Sequence, residues 1–134
     1  MSSGIEGKEV KVPPRPFPEW RVTPADRGED AAYTFGYHLI LNCRDEAMAT
    51  VPADASPHVK AAVEEAVDTA LHNVNDMLEG FWKLEAGPKH TVELALVVRV
   101  LDSTGKLIES QEISPCKHDL PIGYWKWAQD REFR

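Results

Sequence analysis

Three groups of residues have the types and spacing from which chemistry could be built. Cys116, His118 and Asp119 fall within four positions, the elements of a thiolate nucleophile and its base. Such a pair needs the imidazole within hydrogen-bond reach of sulfur, and side chains at i and i+2 of an extended segment splay apart. The stretch after Pro115 therefore reads as a turn in which Asp119 bonds local backbone. Asp68, His72 and Asp76 recur at four-residue steps, which on a helix makes one row. Imidazole and carboxylate are metal ligands, but no second cluster completes a coordination shell. The row reads instead as a solvated acidic face, so no metal and no cofactor is expected. His38, beside Gly36 and Asn42, could act as an acid–base group near neutral pH if its face lined a cavity.

Other chemistry is missing from the sequence. No GxxxxGK[ST], GxGxxG, HExxH or GxSxG motif occurs. Without them P-loop NTPases, Rossmann enzymes, zincins and α/β-hydrolases drop out.

Aromatic residues gather at both ends. Tyr124, Trp125 and Trp127 lie within four positions, and Phe17 and Trp20 punctuate the proline-rich stretch VKVPPRPFPEW at Val10–Trp20. Trp and Tyr dominate interface hot spots, so these five are the candidate partner-binding residues. Each end also has a self-packing reading. The tail could close the core as a lid. The arm, an extended polyproline-type segment, reads as a strap over the domain more readily than as a ligand for an aromatic groove.

Elements must position these groups. Over Ala31–Arg44, Tyr33, Phe35, Tyr37, Leu39, Leu41 and Cys43 alternate with smaller or polar residues, which predicts a half-buried strand. Ser56 is a good N-cap with Pro57 at the first helical position. Val59, Val63, Ala66, Val67, Ala70, Leu71, Val74, Leu78 and Phe81 then follow at three- and four-residue steps. That predicts an amphipathic helix from 57, ending near Gly80 or reaching 84, with its apolar stripe buried and Glu65, Asp68, His72, Asp76 and Glu79 facing water. His90–Leu101 reads as the strongest strand, Asp102–Gly105 as a turn, and Lys106–Ser114 as a polar return strand suited to an edge. Ala128–Arg134 could add one helical turn. The expected fold is α+β: an antiparallel sheet of three to four strands with one long helix across a face. Residues 1–30 form the arm and 31–134 a single domain.

Composition bounds the function. The chain has 134 residues, 43% hydrophobic, with 15 Lys+Arg against 22 Asp+Glu and hence a net charge of −7. The bases are scattered among acids, so neither nucleic acid nor an anionic membrane is an expected partner. No apolar run reaches the ~20 residues of a membrane span, and residues 1–12 lack the apolar core of a secretory signal. Cys43 and Cys116 read as buried free thiols of a reduced, cytoplasmic protein. The expectation is a non-catalytic protein–protein interaction or assembly module, an accessory subunit or a homo-oligomer in a larger complex such as a phage particle. The alternative is a small enzyme or ligand-binding protein with a pocket between helix and sheet that uses His38.

Overall fold

The computed structural model describes residues 24–133, so the arm readings, with Phe17 and Trp20, lie outside the described residues. Helix α1 runs Pro24–His38 and passes without a break into a π-helical segment, Leu39–Arg44, and a short helix α2, Asp45–Met48. The strand expected at Ala31–Arg44 is therefore a helix, and residues 24–30 belong to that helix. Two periods coexist in this stretch. Ala31, Phe35 and Leu39 form one four-residue row and Ala32, Gly36 and Ile40 the next. Ala31, Ala32 and Ile40 are buried, with Phe35 and Leu39 packed beside them, so the helical rows meet the core and the alternation does not. In the π segment the Asp45 N–H reaches Ile40 O, five residues back, which turns Arg44 toward the next helix.

Helix α3, Pro57–Leu78, opens as the sequence implies, with Ser56 Oγ accepting the Val59 N–H at 3.2 Å and Pro57 at the first position. At 22 residues it is about 33 Å long. It ends at Leu78, and Gly80 follows with φ +77°.

The sheet of three to four strands is not formed. Two separate antiparallel ribbons stand in its place: β1 (Leu84–Glu85) with β2 (Thr91–Val92), and β3 (Leu96–Leu101) with β4 (Leu107–Ser114). The segment that would have supplied a further strand is α1. The β3–β4 turn follows its sequence signal. Asp102 Oδ1 accepts from the Thr104 N–H and hydroxyl and the Lys106 N–H, and Gly105 takes φ +88°. The polar residues of β4 have partners at the inner face, where Arg27 Nε of α1 donates to Glu109 at 2.8 Å. After the cis Ser114–Pro115 bond, the expected aromatic tail and single helical turn are one helix, α4 (Leu120–Asp130).

The core sits where α1, the π segment, the end of β4 and α4 converge. Its buried apolar residues are Ala31, Ala32, Ile40, Ile113, Leu120, Tyr124, Trp127 and Ala128. Gly36 lets α1 and α4 approach: a Cβ there would fall onto the Trp127 indole. In an exposed helix, Gly→Ala would stabilise by roughly 1 kcal/mol. Here Gly36→Ala is expected to destabilise by about 1–3 kcal/mol through overpacking. A thermal melt decides it, since an unchanged or raised Tm would mean that the indole does not lie against Gly36.

Candidate functional site

Helix α3 lies rolled with part of its polar row inward, while Glu65 stays exposed. Asp68, Asn75 and Glu79 are buried, and Leu71 and Leu78 pack against the core between them. The expectation that Asp68 and Glu79 face water is thus corrected, and the physical reason is a set of partners that the helix cannot supply itself. Arg44 donates from Nε and Nη2 to Asp68 at 2.6 and 3.1 Å, and Tyr124 Oη donates to the same carboxylate at 2.6 Å. Burial opposes charge on Asp68, but the hydrogen bonds from Arg44 and Tyr124 outweigh it and hold the carboxyl below the ordinary aspartate range. Burial, then the bond to Asp68, pushes the Tyr124 hydroxyl well above its ordinary value, so it stays protonated and donates. Further along, Glu79 Oε2 accepts the Cys116 N–H at 3.0 Å. His72 stacks on Trp125, ring centroids 5.2 Å apart, and approaches Asp76 at 3.5 Å.

With Asp68 and Asn75 turned in, the apolar stripe divides: Leu71 and Leu78 pack inward, and its other edge turns out. Val59 is 48% exposed and Val74 40%, and Ala62, Ala66 and Ala70 between them are also exposed. Beyond the helix the surface continues through Phe81 and Trp82, 66% and 49% exposed, to Val92. An isolated surface apolar residue needs no explanation, whereas these five form one row along the helix.

A cleft of about 200 Å³ lies between α1 and α4, lined in part by Glu29, Tyr33, His118, Asp119 and Lys126. Lys126 Nζ donates to Tyr33 Oη at 2.7 Å, and that bond raises the Lys126 pKa, so the group carries its charge.

The candidate residues fall as follows. His38 is exposed at the C-terminal end of α1, outside this cleft, with Nδ1 2.9 Å from Asn42 Nδ2. Of the tail aromatics, Tyr124 and Trp127 are buried in the core and Trp125 reaches the surface. Asp68 is taken by Arg44 and Tyr124, apart from the His72–Asp76 pair, and among the described residues no three His, Cys, Asp or Glu side chains converge as metal ligands. Cys116 and His118 follow β4 without forming a helix or strand, and Asp119 immediately precedes α4. Both cysteines are free, and both are exposed where burial was expected. No helix among the described residues is long and apolar enough to cross a membrane.

Sequence reasoning missed Arg44 as the partner that draws Asp68 inward. A signal exists: Arg44 follows the apolar Leu39–Leu41 by one turn, and a guanidinium drawn toward a core calls for an anion. No protein family, curated protein or solved structure matches the chain.

The Asp68 carboxyl has its pKa depressed by folding, so its stabilisation is present above the unfolded value near ~3.9 and is lost as pH falls through the lower folded value. Asp68→Asn takes from Arg44 its closest anion, leaving only Asp45 and Glu64 at 3.8 and 3.7 Å, and is expected to lower stability at pH 7 by on the order of 2 kcal/mol. The gap between variant and native chain should narrow below about pH 4. Urea melts at pH 7 and pH 3 check this, and a gap equal at both would show that the charge plays no part.

Proposed function

We propose that this chain is a non-catalytic assembly module whose binding element is the outward face of α3. The single observation that carries the reading is the roll of that helix: Asp68 and Asn75 are turned inward, Asp68 on the Arg44 and Tyr124 donors, while Val59, Ala62, Ala66, Ala70 and Val74 face solvent. Leaving such a row in water forgoes roughly 25 cal/mol for each Å² of apolar area that a partner would cover. Ala, with no side-chain entropy to lose, is suited to close approach of another helix. Phe81 and Trp82 extend the same surface with the residue types that anchor interfaces.

Besides the cleft of about 200 Å³ between α1 and α4, open grooves of about 300–390 Å³ lie elsewhere on the surface, and His38, the polar group of the ligand-binding alternative, lines none of these.

The test is tolerance of charge on the stripe. Ala66→Glu and Val74→Glu are expected to melt within a few degrees of the native chain, since an exposed helical site changes stability by about 0.5 kcal/mol or less. Were the stripe packed inside the monomer, an unpaired buried carboxylate would cost several kcal/mol and collapse the transition. Circular dichroism melts of the two variants distinguish these outcomes, and unfolding of both would sink the reading.

A further inference from the structure

We propose that the cleft between α1 and α4 binds a small zwitterion, a free α-amino acid, with its ammonium group at the Asp119 end and its carboxylate at the Lys126 end. The site shares no residue with the outward face of α3 and does not rest on that reading.

Contacts between the two helices fix the order of groups along the cleft. A Cβ on Gly28 would fall 3.2 Å from His118 Nε2, Lys126 donates to Tyr33 at 2.7 Å, and Gly36 lies against the Trp127 indole. Residue numbers rise together on the two sides, so Glu29, His118 and Asp119 line one end and Tyr33, Lys126 and Trp127 the other. Carboxylates thus stand at one end and an ammonium at the other. From Glu29 to Tyr33 the rise along α1 is about 6 Å.

Both ends keep unspent hydrogen-bonding capacity. Asp119 holds the N-cap position of α4, yet its side chain makes no capping bond, so the carboxylate is not used by the helix. Lys126 gives one N–H to Tyr33 and approaches Glu132 at 3.5 Å, which leaves a third donor. Tyr33 accepts from Lys126, so its own hydroxyl proton is there to give. Trp127 is 2% exposed, and its Nε1 is the one donor among the buried side-chain atoms without a hydrogen-bond partner in the described residues. Buried donors are ordinarily paired. A Cβ on Gly123, which lines the cleft, would lie 2.9 Å from Trp127 Cζ2 and 3.4 Å from Cε2, the ring carbon that bears Nε1. The N–H edge of the indole therefore borders the cleft.

Size and charge select the ligand. A volume of about 200 Å³ equals roughly seven waters at about 30 Å³ each, close to the non-hydrogen atom count of a small amino acid. A carboxylate alone would face Glu29 and Asp119 with no positive charge of its own, and an amine alone would leave the Lys126 end unmatched. A molecule that carries both groups on one carbon complements both ends.

The test is titration of the full chain with glycine, L-alanine and L-serine, with propionate and ethylamine as single-charge controls, followed through the assigned Trp127 indole N–H resonance. At least one amino acid is expected to shift that resonance saturably and to bind about tenfold or more tightly than either control. Lys126→Met and Asp119→Asn are each expected to weaken that binding about tenfold. Both should melt like the native chain, since Lys126 is partly exposed and Asn tolerates the φ of +47° at position 119. A resonance that none of the three amino acids moves overturns the proposal, and propionate or ethylamine binding as tightly as the amino acids overturns the zwitterion. Affinity unchanged in both folded variants places binding elsewhere and overturns the site. If a variant does not fold, nuclear Overhauser contacts in the native chain decide: contacts from the alanine methyl to Ile122, Lys126 or Trp127 support the placement, and their absence overturns it.

Discussion

The ion pair between the half-buried Arg44 and the buried Asp68, with Tyr124 donating to the same carboxylate, is the constraint on which the rest of the arrangement depends. It joins the π segment, α3 and α4 at one point. A carboxylate taken from water is tolerated only where such donors meet it, and a guanidinium only where an anion meets it. Neither α3 nor the segment ending at Arg44 could occupy this place without the other, and α4 must bring the Tyr124 hydroxyl within reach. Buried pairs of this kind add little net stability against a well-packed apolar alternative, but they fix which face of a helix turns inward. Here that choice fixes the roll of α3, and through it the surface the protein presents.

The consequences run outward in both directions. Inside, the large members of the buried apolar core among the described residues are Ile40, Ile113, Leu120, Tyr124 and Trp127. Polar ties supplement it: Arg131 holds Asp45 by two bonds at 2.8 and 2.9 Å, and Arg27 holds Glu109. Outside, much of the apolar surface of α3 and of the β1–β2 ribbon stays in water. The buried core and the exposed row are thus two aspects of one division of apolar residues between interior and surface.

How far the sequence revealed this varies with the kind of signal. The Ser56–Pro57 start, the Asp102–Gly105 turn and the β3–β4 hairpin were legible because short-range chemistry decides them. The helix over 24–48 was not, because Phe35 and Leu39 satisfy both a two-residue and a four-residue period, and only the tertiary partner of Ile40 and Gly36 decides between them. Thr23–Pro24 repeats the Ser–Pro pattern that opens α3, a local cue pointing to a helix there. The roll of α3 was illegible for a different reason. Amphipathicity gives two faces, and assigning the apolar one to the interior presumes that the polar one has no partner inside. Arg44 and Tyr124, 24 and 56 residues away from Asp68, supply that partner. The tail aromatics divide likewise: the step of three from Tyr124 to Trp127 puts both against the core, and Trp125 between them turns outward beside His72.

The central claim, that Asp68 lies inside as a paired carboxylate, is tested most directly by its own titration. Following the Asp68 side-chain carboxyl by carbon-13 NMR across the acid range should give a pKa clearly below the ordinary aspartate value of about 3.9, with Arg44→Gln moving it upward. An ordinary value unaffected by Arg44→Gln would place Asp68 in water. The helix would then be rolled the other way, and the outward apolar face would not exist.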